Sequence, residues 1–332
     1  MAVTVSIINL KGGVGKSTIT MMVAEYLFFH HRKRVLVIDL DSQHNLTQAM
    51  VRPNFITSLG KEEKDIYHLF QQTLQGKQPK ANNFVARPPL IVSNISRWGD
   101  SEGLDMIIAL PDLGQLDEEM LKMWQRGDPA PKELHFTLKN SLDSARKEYD
   151  VILIDCPPGL SLMTSNAMVA SDFFVAPVIP EPLSMLGIDL VKTRVAELKY
   201  EYPQLTIEFA GTIFNKVLHY RNTHRIIGPW LAGAQVGDLA PIPASQYKVF
   251  HRWIPDSERI RKIAEFQNEE LQEQLKLEKF GHLSSKYDGS SRLSNPAPPM
   301  WFSRAGEEGP VYHLWERLNK VTQELMARVG IN

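Results

Sequence analysis

Apolar and polar positions alternate in a pattern that changes character several times along the chain. Val3, Val5, Ile7 and Ile8 form a short β-branched run, which predicts a buried strand. Residues 9–16 are a glycine-rich loop, and 17–30 predict a helix with Ile19, Met22, Val23, Tyr26 and Leu27 on its inner face. A second apolar run at 35–38 ends in Asp39 and Asp41. Strand, loop, helix and strand in so short a span open a parallel α/β sheet. Further strands are expected at 104–110, 151–154, 173–178 and 207–213. A helix is expected at 187–200, and 120–146 reads as mostly helical with a break at 127–131. The predicted fold is α/β, a mostly parallel twisted sheet flanked by helices.

Two stretches depart from that rhythm. Residues 52–103 are polar and turn-rich and read as a partly helical insert. Residues 258–279 are helical but highly charged, and 284–299 are rich in Ser, Gly, Asn and Pro and read as a linker. Val311, Leu314, Leu318, Val321, Leu325 and Val329 then recur at helical spacing and predict a closing amphipathic helix. The expected organisation is a core over 1–262 carrying the insert, followed by a helical extension over 263–332. Trp98, Trp301 and Trp315 lie in these added segments, either as a partner surface or as core filler.

Composition narrows the class. With 332 residues, 43% hydrophobic and 23% charged, the chain is an ordinary globular protein and not a disordered one. Its formal net charge of −1 provides no overall basic field, so any nucleic-acid binding must come from a local patch. The single cysteine, Cys156, excludes an internal disulfide framework and an all-cysteine metal site within one chain, and fits a bacterial-type cytoplasm or another reducing compartment. No run approaches the ~18–20 apolar residues of a membrane span. The first apolar run has no basic flank before it, so no signal peptide is expected.

The chemistry lies between the first strand and the first helix. Lys11-Gly12-Gly13-Val14-Gly15-Lys16-Ser17-Thr18 has the composition of a phosphate loop. Glycines let backbone N–H groups turn inward around phosphate oxygens, and the following helix presents its positive end to the anion. Lys16 can reach the β- and γ-phosphates, and the Ser17 hydroxyl can ligate Mg²⁺. The stricter G-x-x-x-x-G-K-[ST] pattern would need glycine where Leu10 stands. Asp155 ends the most apolar strand, where it can hold Mg²⁺ directly or through water. Asp39 and Asp41 end the second strand and can converge on the same sheet edge, although strand-end turns would also account for them.

Residues 11–18 resemble the deviant Walker A loop of the ParA/MinD family, whose mark is the second, upstream lysine. Residues 35–43 (VLVIDLDSQ) resemble that family's second motif, and 151–159 (VILIDCPPG) its Walker B and switch segment. Residues 180–187, 211–216 and Ile242-Pro243 resemble later family segments, in the family's order. The resemblance implies a P-loop ATPase that binds ATP and Mg²⁺ and forms a sandwich homodimer around the nucleotide. Lys11 would then reach the phosphates of the partner's ATP, while Lys16 and Thr18 would hold phosphates in cis along with Gly12, Gly13, Val14, Gly15 and Ser17. Asp41 would orient the attacking water, Asn215 would hydrogen-bond adenine, and Lys216 and Pro243 would line the nucleotide pocket. Ser42 and His44 replace the Pro and Gly of much of the ParA branch, which loosens the subfamily assignment. No helix-turn-helix segment precedes the loop, and Cys156 lacks the companion cysteine of the nitrogenase iron protein.

In the family's smaller members the ATP dimer rides DNA without sequence preference, and a protein activator or cargo adaptor triggers release. A candidate DNA patch here is Lys248, His251, Arg252, Arg259, Arg261 and Lys262, with Arg221 and Arg225 earlier and Tyr247 and Trp253 interleaved. Location would then be cytoplasmic, with nucleoid association. The closing helix mixes Glu316 and Glu324 with Arg317, Lys320 and Arg328, which favours packing on protein over membrane docking. Two rival functions are an ATP-binding scaffold with little turnover, and an ATP-coupled metabolic enzyme of the same superfamily.

Overall fold

The computed structural model describes residues 1–51, 53–86, 103–126, 134–218, 222–237, 241–256 and 310–331. Six strands form one sheet in the order β3-β2-β4-β1-β5-β6. They are β1 (Val3–Ile7), β2 (Val35–Asp39), β3 (Leu104–Ile107), β4 (Val151–Asp155), β5 (Phe173–Val178) and β6 (Glu208–Phe214). Every pairing between them is parallel. Helices must therefore return the chain across both faces, which explains why β2 and β4 are apolar up to their closing aspartates and fully buried. Asp155 stands level with Ile7 on one side and with Asp39 on the other. All the strand-end chemistry thus meets on the carboxyl edge, at the centre of the sheet.

The first helix, α1 (Lys16–Phe29), is buried on every residue from Ile19 to Leu27, and not only on the expected inner face. The closing helix (Pro310–Val329) supplies the second cover, because it packs on both α1 and β6. Its Leu318, Val321, Leu325, Met326 and Val329 join the cluster that contains Ile19, Met22 and Tyr26. The amphipathic face of this helix is thus spent on the core. Among the described residues, no helix is long and apolar enough to cross a membrane.

Several boundaries move from their expected places. The expected strand at 104–110 ends at Ile107, because Pro111 opens a 3₁₀ turn soon afterwards. The helix expected from Gly187 begins at Pro182, with proline at its first position, where no N–H is needed. Among the described residues, the mostly helical stretch contains the shorter helices Gln115–Gln125, Thr137–Ser141 and Ala145–Glu148, and the expected break at 127–131 lies outside them. The start of the turn-rich insert is helical at Pro53–Lys61 and Ile66–Leu74, with Ile66, Leu69 and Phe70 in the core. The expected charged helix at 258–279, the linker, Trp98 and Trp301 lie outside the described residues.

Arg328 closes the far side of the sheet. The β5–β6 register slips between Phe174 and Val175, and Gly211 opposite has φ +144°. A side chain at Gly211 would overlap the Arg328 guanidinium, which donates to the carbonyls of Ala210, Lys248 and Val249 and stacks on Phe250. Replacing Arg328 with alanine takes this donor from the Ala210 and Val249 carbonyls and leaves Lys248 O only the Thr212 N–H, with an expected cost of about 3 kcal/mol in urea denaturation. Arg328→Lys should recover less than half of it, since one ammonium cannot span the same acceptors. A loss below about 1 kcal/mol for alanine would show that water replaces the guanidinium.

Candidate nucleotide-binding site

The glycine-rich loop leaves β1 between β4 and β5 and enters α1 at Lys16. Gly13 and Gly15 adopt φ +74° and +91°, the left-handed region that glycine occupies without strain. A Cβ on Gly12 or Gly13 would meet nothing within 4 Å, so the concave side is open. Gly15 differs, because a Cβ there would overlap the Asn215 amide.

Neighbouring strand ends brace this loop. Asn9 Nδ2 donates to Pro177 O at 2.6 Å, and its Oδ1 accepts the Lys11 N–H at 2.9 Å. From the end of β6, Asn215 Nδ2 donates to Val14 O at 2.8 Å and Lys216 Nζ to Gly13 O at 2.7 Å. Lys16 is buried, with its ammonium 3.4 Å from Lys11 O. Lys11 Nζ lies 3.0 Å from Glu181 Oε2 on the surface.

Carboxylates sit beneath the loop. Asp155 is fully buried; its Oδ1 accepts from Thr20 Oγ1 at 3.3 Å, and its Oδ2 has no hydrogen-bond partner. Burial, and then the charge of Asp39, push this carboxyl well above its ordinary range, against the pull of the Ser17 hydroxyl and the Lys16 ammonium. Asp39 is held more fully. Its Oδ1 accepts the Asp41 N–H, and its Oδ2 accepts both the N–H and the hydroxyl of Thr47. Burial still raises its pKa to about 6. Thr47 Oγ1 accepts the Ala109 N–H in turn, so Asp39 ties the turn after β2 to the end of β3. This is the turn-and-cap reading of Asp39. Asp41 is buried in the same turn and accepts the Gln43 N–H.

The loop, Lys16, Ser17, Asp155, Asp39, Asp41, Asn215 and Lys216 therefore gather at one edge. Pro243 stands apart from these hydrogen bonds, exposed at the N-cap of the short helix Ala244–Tyr247. Asn9, Thr20, Thr47 and Glu181 also shape the site, and no spacing rule marks them. Their only signal is position, a polar residue beside the loop or at a strand end.

Residues 2–207 match the family described as an AAA domain, over half of the chain. The sporulation initiation inhibitor protein Soj of Bacillus subtilis is 31% identical over 195 residues, 59% of this chain and 65% of Soj. The chain belongs to the ParA/MinD family of P-loop ATPases. A virulence plasmid ParA family protein of Chlamydia psittaci is 29% identical over 192 residues, 57% of this chain and 61% of that protein. In fold, this ParA/MinD-type chain resembles the ATP complex of Cyanothece McdA at TM-score 0.61 and 16% identity, over 100% of this chain and 97% of the other. It also resembles a putative plasmid partition protein of Borrelia burgdorferi bound to AMPPNP, at TM-score 0.58 and 23% identity, over 81% and 91%.

The basic patch expected on this ParA/MinD-type chain is altered. Lys248 and Arg252 are exposed, but Lys248 Nζ donates to Phe209 O and His251 pairs with Glu324. Tyr247 is not a surface aromatic; it is buried, with its hydroxyl on Asp189. Trp253 is half-buried beneath Arg317, 3.9 Å from its ring. Arg221, Arg259, Arg261 and Lys262, and the Arg225 side chain, lie outside the described residues. Cys156 is a buried free thiol, as its apolar strand implies.

Proposed function

We propose that this chain is a Mg²⁺-dependent ATPase whose ATP-bound homodimer is a molecular switch for partitioning or positioning DNA or another cargo. The observation that carries the reading is Asp155 Oδ2, buried and unpartnered beneath an open glycine loop and beside Lys16. A buried carboxylate oxygen with no donor suits a cation, and the open loop above it suits an anion. The ligands of the structural neighbours, ATP and AMPPNP, accord with that chemistry.

Gly12 to Gly15 would present N–H groups to the phosphates, with Lys16 and Thr18 bonding phosphate oxygens. Ser17 and Asp155 would hold Mg²⁺, which neutralises phosphate charge when bound. Asp41 would orient the attacking water. Lys11 would leave Glu181 to reach the partner's nucleotide, adding a cation where charge develops. Exposed Leu160 and Leu186 lie soon after the carboxyl ends of β4 and β5, apolar side chains suited to a second copy. The ATP dimer would double Lys248 and Arg252 into a DNA-facing patch, and a protein activator would release it.

Sedimentation with Mg-ATP and Mg-ADP tests this reading. Asp41→Ala is expected to lose about 10²-fold in turnover and accumulate as an ATP dimer, whereas Lys11→Ala should stay monomeric. The trapped dimer should co-sediment with DNA and be released steeply as salt rises. Absence of an ATP-dependent dimer in the wild type would refute the switch, and a dimer without DNA retention would direct the search to a protein cargo.

A further inference from the structure

We propose that Asn215 and Lys216 are positioning residues for the phosphate loop, fixing the direction of two loop N–H groups before any nucleotide binds. The proposal rests on the nucleotide reading above. A trans peptide is planar, so the carbonyl of one residue and the N–H of the next point in opposite directions. Asn215 Nδ2 pins Val14 O at 2.8 Å, which turns the Gly15 N–H the other way. Lys216 Nζ pins Gly13 O at 2.7 Å, which does the same for the Val14 N–H. Two donors from β6 thereby aim two donors of the loop.

The surroundings are built for this approach. Asn215 is 3% exposed, and its own N–H donates to Val178 O, so the side chain springs from an anchored strand end. Any side chain at Gly15 would occupy the place of its amide. Lys216 takes φ 53°, a left-handed conformation that side chains seldom adopt, in the same stretch that brings its ammonium onto the loop. Contact with adenine, which family resemblance implies for Asn215, does not account for the Lys216 bond to Gly13 O.

A base-free probe separates the two roles. Calorimetric titration would compare inorganic tripolyphosphate with ADP, both with Mg²⁺, on the full chain, with thermal melting as the folding control. Asn215→Ala, which changes no charge, is expected to weaken both by the same factor, about fivefold to tenfold. Lys216→Ala should weaken both, and Lys216→Arg should restore them. In the nucleotide-free protein, either alanine variant should also shift the Val14 and Gly15 amide resonances, which removal of a remote charge would not do. Loss of ADP affinity with tripolyphosphate unchanged would assign Asn215 to the base and overturn the proposal, as would no change in either. A wild type that binds ADP but not tripolyphosphate would also overturn it. A wild type that binds neither would refute the nucleotide reading itself, before any variant is measured. Should Asn215→Ala fail to fold, the more exposed Lys216 variants carry the test.

Discussion

Lys16→Ala is expected to lower nucleotide affinity by about 10³-fold, as the sum of two or more charge-assisted bonds to phosphate. Lys16 is 6% exposed at the first turn of α1, and its ammonium lies 3.4 Å from Lys11 O within the loop. The ammonium also faces inward, where it opposes the upward shift of the Asp155 carboxyl. Its removal takes from the Asp155 carboxyl the cation that opposes that shift, and the anionic ligand loses a direct attraction. Lys16→Arg should recover only part of the loss, because a planar guanidinium does not fit the space of a compact ammonium. Titration with a fluorescent ATP analogue measures it. An affinity within about threefold of wild type would show that phosphate sits elsewhere.

The site was legible to the extent that its chemistry is local in sequence. The loop from Lys11 to Thr18 and the strand ends at Asp39 and Asp155 could be read directly. A parallel sheet then brings those ends together regardless of what lies between them. Asn215 was legible only as part of a family segment, and its grip on Val14 O was not, because 201 residues separate the partners. The pairing of Glu181 with Lys11, 170 residues apart, was invisible for the same reason. Helical periodicity failed in a different way on α1. It marks the stripe that faces the sheet, and it leaves the opposite side polar by default. The rest of α1 is buried because the closing helix and the short helix Asn45–Met50 both pack on it, and no local pattern in residues 16–29 announces that cover. In the insert, Gly, Pro and polar residues suggested turns, yet Ile66, Leu69 and Phe70 were enough to anchor a two-turn helix.

Glu25 is where burial of that far side of α1 has its largest expected effect. It sits on the side of α1 that a two-layer reading leaves in water, and it is 1% exposed, with no hydrogen-bond partner for Oε2. Burial pushes its pKa from 4.5 to about 8. The unfolded chain therefore releases this proton near pH 4.5 and the folded chain only near pH 8. Between those values the folded state holds more protons, so stability falls as pH rises through this window. The contribution is fully present below pH 4.5 and lost by about pH 8, and the shift corresponds to about 4–5 kcal/mol. Glu25→Gln keeps the shape without the titration. Urea denaturation should find the two proteins alike near pH 4.5, and the glutamine variant more stable by about 4 kcal/mol at pH 8. His30 and His31 also titrate at this end of α1, but both are common to the two proteins and cancel in the difference. Parallel pH profiles would mean that the carboxylate reaches water or a cation in solution.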